Sequence, residues 1–257
     1  AHGEVVMIGT LVTITVAGSL IKAGMPVALA GLAGLSASVL VCMALGWGLE
    51  RIAYRPLRNA PRLTPLITAI GMSIVLQNLA MMIWGRNYLT FPSLLPKVNF
   101  ELAGAHFTAI QVIIVLVSGA TMAGLLGLIY RTKLGMAMRA TAQNPQVAGL
   151  MGVNSNRVIS AAFVIGSALG ALAGVMVGTY YEIAHYQMGF MLGLKAFTAA
   201  VLGGIGNLAG AMLGGILLGI IESLGAGYIG DLTGGFLGSH YQDIFAFFVL
   251  IGVLVFR

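Results

Sequence analysis

The chain has 257 residues, of which 59% belong to the set AVILMFWYC and only 8% are charged, against roughly a quarter charged in soluble domains. So few polar side chains could not cover a soluble surface. The composition excludes a cytosolic enzyme, a disordered tail, a secreted disulfide scaffold and a nucleic-acid-binding domain, and leaves a protein whose solvent is the lipid bilayer.

The apolar runs are continuous and far longer than the barrel strands of about 10 residues that cross outer membranes, so the spanning element is the α-helix. Windows of about 19 residues predict membrane segments near 5 to 21, 26 to 49, 63 to 84, 108 to 130, 158 to 180, 191 to 224 and 244 to 256. The stretch 191 to 224 is too long for one span and is interrupted at Gly203-Gly204-Ile205-Gly206-Asn207. It is expected to be a broken element: a short membrane-entering helix, a turn, and a second helix from 208. The expected fold is all-α, one polytopic transmembrane domain over 1–257 with a re-entrant helix. A loose likeness between Gly3 to Leu20 and Gly206 to Ile221 suits an internal repeat. Because Ala1-His2-Gly3-Glu4 runs straight into the first segment and the last run stops at Arg257, residues before Ala1 are expected to be missing and the count of spans is expected to be a lower bound.

The net charge of +6 acquires meaning from its placement. Arg51, Arg55, Arg58 and Arg62 fall in one loop, Arg131, Lys133, Arg139 and Arg157 in another, and Arg257 at the end, so nine of the 13 basic residues gather on alternate loops. Those loops face the cytoplasm by the positive-inside rule. The opposite side holds Lys22, Arg86 and Lys97 with Glu101, Glu182, Asp231 and Asp243. Glycine supplies 37 residues, and Gly166, Gly170, Gly174 and Gly178 form an every-fourth-residue row, as do Gly206, Gly210 and Gly214. Such rows let helix backbones approach closely in lipid; tight packing and surfaces that slide during a transport cycle are both compatible with them.

No phosphate loop, HExxH motif, Cys/His cluster or acidic pair at metal spacing is present in the sequence, so the chain does not itself hydrolyse ATP and needs no cofactor or metal. Cys42 is the single cysteine, and no disulfide can form within the chain. His2, His106, His185 and His240 fall at segment ends or external loops, where interfacial roles are expected. No carboxylate is expected deep in a segment. Lys195 falls just inside the broken element, where its stem could snorkel to the interface or its ammonium could face a pathway.

The loop Arg131 to Arg157 is the most informative. Asn144 can cap a short helix, Pro145 suits its first position and Gly152 its stop, while Val147, Leu150 and Met151 at i, i+3, i+4 would form a small apolar face. A short amphipathic helix in a cytoplasmic loop is a docking element for a soluble partner, or else it lies on lipid headgroups. Half-helices ending at mid-membrane likewise present backbone groups and helix-end partial charges suited to an ammonium and a carboxylate. On that ground Thr198, Gly203, Gly204 and Gly206, with His2 and Glu4, are the candidates for flanking a translocation route.

The loop resembles the coupling loop of inner-membrane ABC importer permeases. Arg139-Ala140 through Ala148, Gly152-Val153-Asn154 and Arg157-Val158 follow the pattern of the branched-chain amino acid permeases of the LivH type, and so do three further blocks: Ala1 to Gly9, Glu50 to Arg58 and Leu66 to Ser73. A fourth, Lys195 to Gly206, looks alike as well. The resemblance implies a permease of the bacterial inner membrane, with a further membrane segment before residue 1, paired with a second related permease, two cytoplasmic ABC ATPases and a periplasmic amino-acid-binding protein. It implies that Arg139, Asn144, Gln146, Ala148, Gly149, Gly152 and Arg157 couple the loop to an ATPase, with Ala148 small enough to seat the helix in a cleft of that partner. The alternative from another class is an ion-coupled secondary transporter of small amphipathic solutes.

Overall fold

The computed structural model describes residues 2–58, 60–61, 63–94, 99–102, 105–204 and 206–232, with positions 244, 247, 248, 251, 252 and 255. The chain divides into two compact units, Ala1–Phe190 and Met191–Arg257. The first contains α1 (His2–Lys22), α2 (Val27–Leu49), α3 (Leu63–Trp84), β1 (Leu89–Thr90), β2 (Asn99–Leu102), β3 (Ala105–Thr108), α4 (Ala109–Arg131), α5 (Lys133–Gln143), α6 (Pro145–Leu150), α7 (Ser155–Tyr181) and β4 (Ile183–Ala184). The short α8 (Met188–Gly203) leads from it into the second, which holds α9 (Leu208–Leu232). Among the described residues six helices are long and apolar enough to cross a membrane: His2–Lys22, Val27–Leu57, Leu63–Trp84, Ala109–Arg131, Ser155–Tyr181 and Leu208–Tyr228. The all-α polytopic architecture is the expected one. The segment expected at 244 to 256 falls largely outside the described residues.

Helices α1, α2 and α7 form the packed centre of the first unit. In lipid no hydrophobic force draws helices together, so close backbone approach and interhelical hydrogen bonds must do it, and the sequence supplies both. A Cβ on Gly9 would come within 2.9 Å of the Ala171 Cα, one on Gly34 within 3.2 Å of the Thr13 carbonyl, and one on Gly174 within 2.9 Å of Thr10 Oγ1. Thr10 Oγ1 donates to the Gly174 carbonyl at 2.8 Å, and Ser38 Oγ donates to the Gly9 carbonyl at 2.9 Å. Val5, Met7, Ile8 and Leu11 fill the remaining space with Cys42 and Ala171. Of the α7 glycine row, Gly174 and Gly178 sit at close approaches, whereas a Cβ on Gly166 would meet nothing within 4 Å.

The loops sort to two ends. Leu89 pairs with Ala184 and Thr90 with Ile183, and Tyr88 stacks on His185 with ring centroids 4.6 Å apart, so the segments following α3 and α7 meet. At the opposite end the two arginine-bearing loops are tied together, because Arg58 donates to Asn156 Oδ1 and Ser160 Oγ donates to Glu50 at 2.6 Å. Both basic loops therefore share an end, as an alternating topology requires. The α2 helix does not stop at Leu49 but continues through a π turn, Glu50–Tyr54, and a 3-10 turn, Arg55–Leu57, which carries the basic residues along a helical surface.

In the second unit the expected break is present: α8 ends at Gly203 and α9 begins at Leu208. Gly204 and Gly206 adopt φ of +95° and +93°, a left-handed conformation that glycine enters without steric cost. Asn207 Oδ1 accepts the Gly210 N–H at 3.1 Å and caps the new helix. Gly203 and Gly210 face each other so closely that neither could carry a side chain.

Candidate functional site

The loop between α4 and α7 is two helices joined by a cap. The first, α5, was not expected from the sequence. Thr132 starts it by accepting the Gly135 N–H at 3.1 Å, and Gly135 is buried where a side chain would strike the backbone of Leu128 and Ile129. Arg139 lies 5.2 Å over the Tyr130 ring, a cation–π contact that holds α5 against the end of α4. Among these signals only the Thr-x-x-Gly start and the helix-forming run Ala137 to Gln143 were readable beforehand.

The second helix, α6, forms as expected. Asn144 Oδ1 accepts from Gln146 N at 3.0 Å and Val147 N at 3.1 Å, Pro145 opens the first turn, and Gly152 takes φ +82° beyond the last turn. The Gly152 N–H donates to the Gly149 carbonyl and that of Val153 to the Ala148 carbonyl, both at 3.0 Å, closing the helix as a glycine-ended cap does. Asn154 then caps α7 by accepting from Arg157 N at 3.2 Å. Capped at both ends and followed at once by a membrane helix, six residues hold a shape they could not keep alone.

The two faces of α6 differ. Ala148 is only 4% exposed, while Leu150 is 87% and Met151 82% exposed, with Val147 half-exposed. The role expected for Ala148 is corrected here: it is buried by the chain's own packing, so its small side chain serves the seating of α6 on its own protein. The face available to another molecule is Val147, Leu150 and Met151, beside Gln146 and Gly149, which are exposed. Arg139 and Arg157 are exposed as well, the first on α5 and the second in the opening turn of α7.

A second constellation lies inside the first unit. Glu4 is 1% exposed, and its Oε1 accepts from Ser73 Oγ at 2.7 Å and Gln77 Nε2 at 2.8 Å. Its Oε2 has no hydrogen-bond partner and looks toward Gly189, where a Cβ would come within 2.7 Å of it. The first turn of α1 thus holds a buried carboxylate, because α1 is packed almost continuously from Glu4 to Thr13. Ser73 and Gln77, four apart in an apolar helix, were the readable signal for a polar partner on α3. His2 is exposed and its ring lies 5.3 Å from that of Phe163.

In the second unit Thr198 is buried and bonds back to the Leu194 carbonyl at 2.9 Å, and Gly203, Gly204 and Gly206 build the break itself. Lys195 Nζ donates to Glu222 Oε2 at 3.0 Å, and both side chains are more buried than exposed. This ion pair links α8 to α9 and offsets part of the cost of two charges in a membrane segment, while Glu222 Oε1 is buried without a hydrogen-bond partner.

Six helices long and apolar enough to cross a membrane, among the described residues, define a polytopic membrane protein. Comparison with known proteins gives the family. The family model described as branched-chain amino acid transport system / permease component matches residues 1–254. The chain is 45% identical over 263 residues to the high-affinity branched-chain amino acid transport system permease protein BraD of Pseudomonas aeruginosa, covering 100% of this chain and 83% of that protein. It is 42% identical to the permease protein LivH of Salmonella typhimurium and to LivH of Escherichia coli, each covering 99% of this chain and 82% of the relative. A shorter match, 36% over 142 residues, is to the autoinducer 2 import system permease protein LsrC of Yersinia pseudotuberculosis, covering 53% of this chain and 38% of that protein. No solved structure matches. The chain belongs to the branched-chain amino acid transport system permease family, and it is a transport subunit, not an enzyme.

Proposed function

We propose that this chain is a membrane-spanning subunit of an ATP-driven importer of branched-chain amino acids in the bacterial inner membrane. The observation that carries it is the match along nearly the whole chain to permeases whose names state that transport. A permease without a phosphate loop needs an external motor, and the partners of the proposed assembly are a second related permease, two cytoplasmic ATPases and a periplasmic amino-acid-binding protein. The motor acts through α6. ATP binding can shift a permease between two states only through contacts that differ between them, and the exposed Val147, Leu150 and Met151 supply an apolar contact of the right size. Val153 and Asn154 connect α6 to α7 without slack, so a push on α6 moves a core helix.

Within the membrane, His2, Glu4, Thr198, Gly203, Gly204 and Gly206 flank the route in this proposal. Within the first unit Glu4 offers a carboxylate oxygen without a hydrogen-bond partner, which suits an ammonium, and within the second the break between α8 and α9 offers backbone groups, which suit a carboxylate. Replacing Gly204 by Leu, which φ of +95° and its buried position oppose, should stop transport. The assignment falls if the complex assembles and transports normally with that leucine. The class is tested by leucine uptake into proteoliposomes holding the whole transporter: uptake following ATP with no ion gradient is expected, and uptake following an imposed proton or sodium gradient without ATP would return the secondary-transporter alternative.

A further inference from the structure

At the end where the basic loops meet, a cleft of about 420 Å³ opens between the end of α2 and the start of α7, lined by Trp47, Arg51, Arg55, Asn156, Arg157 and Ser160. Among the described residues its charge is not balanced. Glu50, fully buried beneath it, takes Arg55 at 3.4 Å, Arg58 and Ser160, so that carboxylate is already satisfied. Arg51 and Arg157 are exposed and have no carboxylate partner among the described residues. The Arg51 guanidinium is held 5.1 Å over the half-exposed Trp47 ring, which orients its donors while leaving them unused.

The position of the cleft selects among anions. Trp47 closes the apolar run of α2, where tryptophan marks the headgroup level of a bilayer. Leu40 lies two turns before Trp47 on α2 and is likewise exposed, so an apolar strip leads from the charged cleft down into the hydrocarbon. A soluble anion would use the guanidinium groups and ignore the strip. A molecule with a phosphate head and acyl chains uses both. We infer that this cleft binds the phosphate of an anionic phospholipid, with its chains along Leu40 and Trp47 and its charge between Arg51 and Arg157. Arginine forks match phosphate oxygens in pairs, and basic pockets between membrane helices on the cytoplasmic side are suited to such headgroups. A bound lipid would also bridge the extension of α2 to the first turn of α7, next to the proposed coupling helix, independently of what α6 docks.

The test is native mass spectrometry of the whole transporter purified through a tag on this chain, with equal amounts of phosphatidylglycerol or phosphatidylcholine added. Phosphatidylglycerol adducts should exceed phosphatidylcholine adducts about tenfold on the unaltered protein, and Arg51→Gln with Arg157→Gln should lower them about tenfold. Arg51→Lys with Arg157→Lys should restore most of the adducts, and Lys22→Gln, at the other end of α1, should leave them unchanged. Millimolar glycerol phosphate should not displace the lipid. The inference is overturned by equal adducts for both lipids, by adducts that survive the double glutamine variant, or by complete displacement with glycerol phosphate, which would make the site one for soluble phosphate. Loss of the ATPases from the double glutamine variant with its lipid adducts intact would also overturn it, and would assign both arginines to protein docking.

Discussion

The centre formed by α1, α2 and α7 and the surface of α6 use opposite chemistry for opposite ends. In the centre, polar side chains are turned inward onto backbone carbonyls: Thr10 onto Gly174, Ser38 onto Gly9. On α6 the polar groups cap the helix and apolar side chains stand outward, Leu150 and Met151 almost fully. Both are inversions of a soluble protein's habit, and each is explained by what the surface meets. Lipid penalises an unpaired polar group, so the membrane core consumes its own; water penalises an apolar patch, and the proposed docking of a partner on α6 would remove that penalty.

The comparison breaks most violently at the centre. Gly174→Leu would drive a side chain into the Val6 carbonyl and Thr10, and it should abolish accumulation of folded permease in membranes, since overpacking alone costs about 1–3 kcal/mol and separation of α1 from α7 also breaks the Thr10 bond. Gly166→Ala, with nothing within 4 Å, should accumulate normally; equal loss from both would show that the row matters for something other than approach.

Glu4→Leu is the next largest. It leaves Ser73 and Gln77 facing an apolar group, and unmatched buried partners cost about 1–3 kcal/mol, readable as a lowered melting temperature in detergent. Glu4→Gln keeps an acceptor for both and should melt within a few degrees of the unaltered protein. If the two variants melt alike, the hydrogen bonds of Glu4 do not hold α1 to α3.

These two positions also mark how much the sequence reveals. The break at Gly203 to Asn207 and the helix after Asn144 were legible because glycine, asparagine and proline act locally, through φ and caps. The depth of Glu4 was not, because four residues before an apolar run look like a boundary until packing places them inside. The inward turn of Ala148 was equally hidden: in a helix of six residues, periodicity gives spacing but not which side meets the protein. Nor did the sequence disclose that α2 runs on past Leu49, since Arg51, Arg55 and Arg58 read as a loop while their spacing of four and three puts them on one helical face.

A smaller effect is expected at Arg58. Removing it by Arg58→Ala breaks its bonds to Glu50 and Asn156, but Arg55 and Ser160 remain on the buried carboxylate, so a loss of about 1 kcal/mol is expected. Arg55→Ala combined with Arg58→Ala should cost more than the sum of the single changes, because only the pair leaves the buried Glu50 charge with no cation and Ser160 as its remaining donor. Strict additivity in thermal unfolding would contradict the cluster. The smallest effect belongs to Gly152→Ala, where φ +82° strains an alanine by about 1 kcal/mol; it should slightly weaken coupling without changing the membrane core.

The central claim, that the apolar face of α6 is a docking surface for a soluble ATPase, has a direct measurement in cysteine protection. The sole native cysteine, Cys42, is buried, so a thiol introduced by Met151→Cys is the one a membrane-impermeant maleimide reaches. In permease stripped of its ATPases the thiol should label rapidly, and in the assembled transporter its labelling should slow at least about tenfold, as expected when a contact at the centre of an interface excludes water. Equal rapid labelling in both preparations would contradict docking, and equally slow labelling in both would place α6 on the lipid headgroups instead.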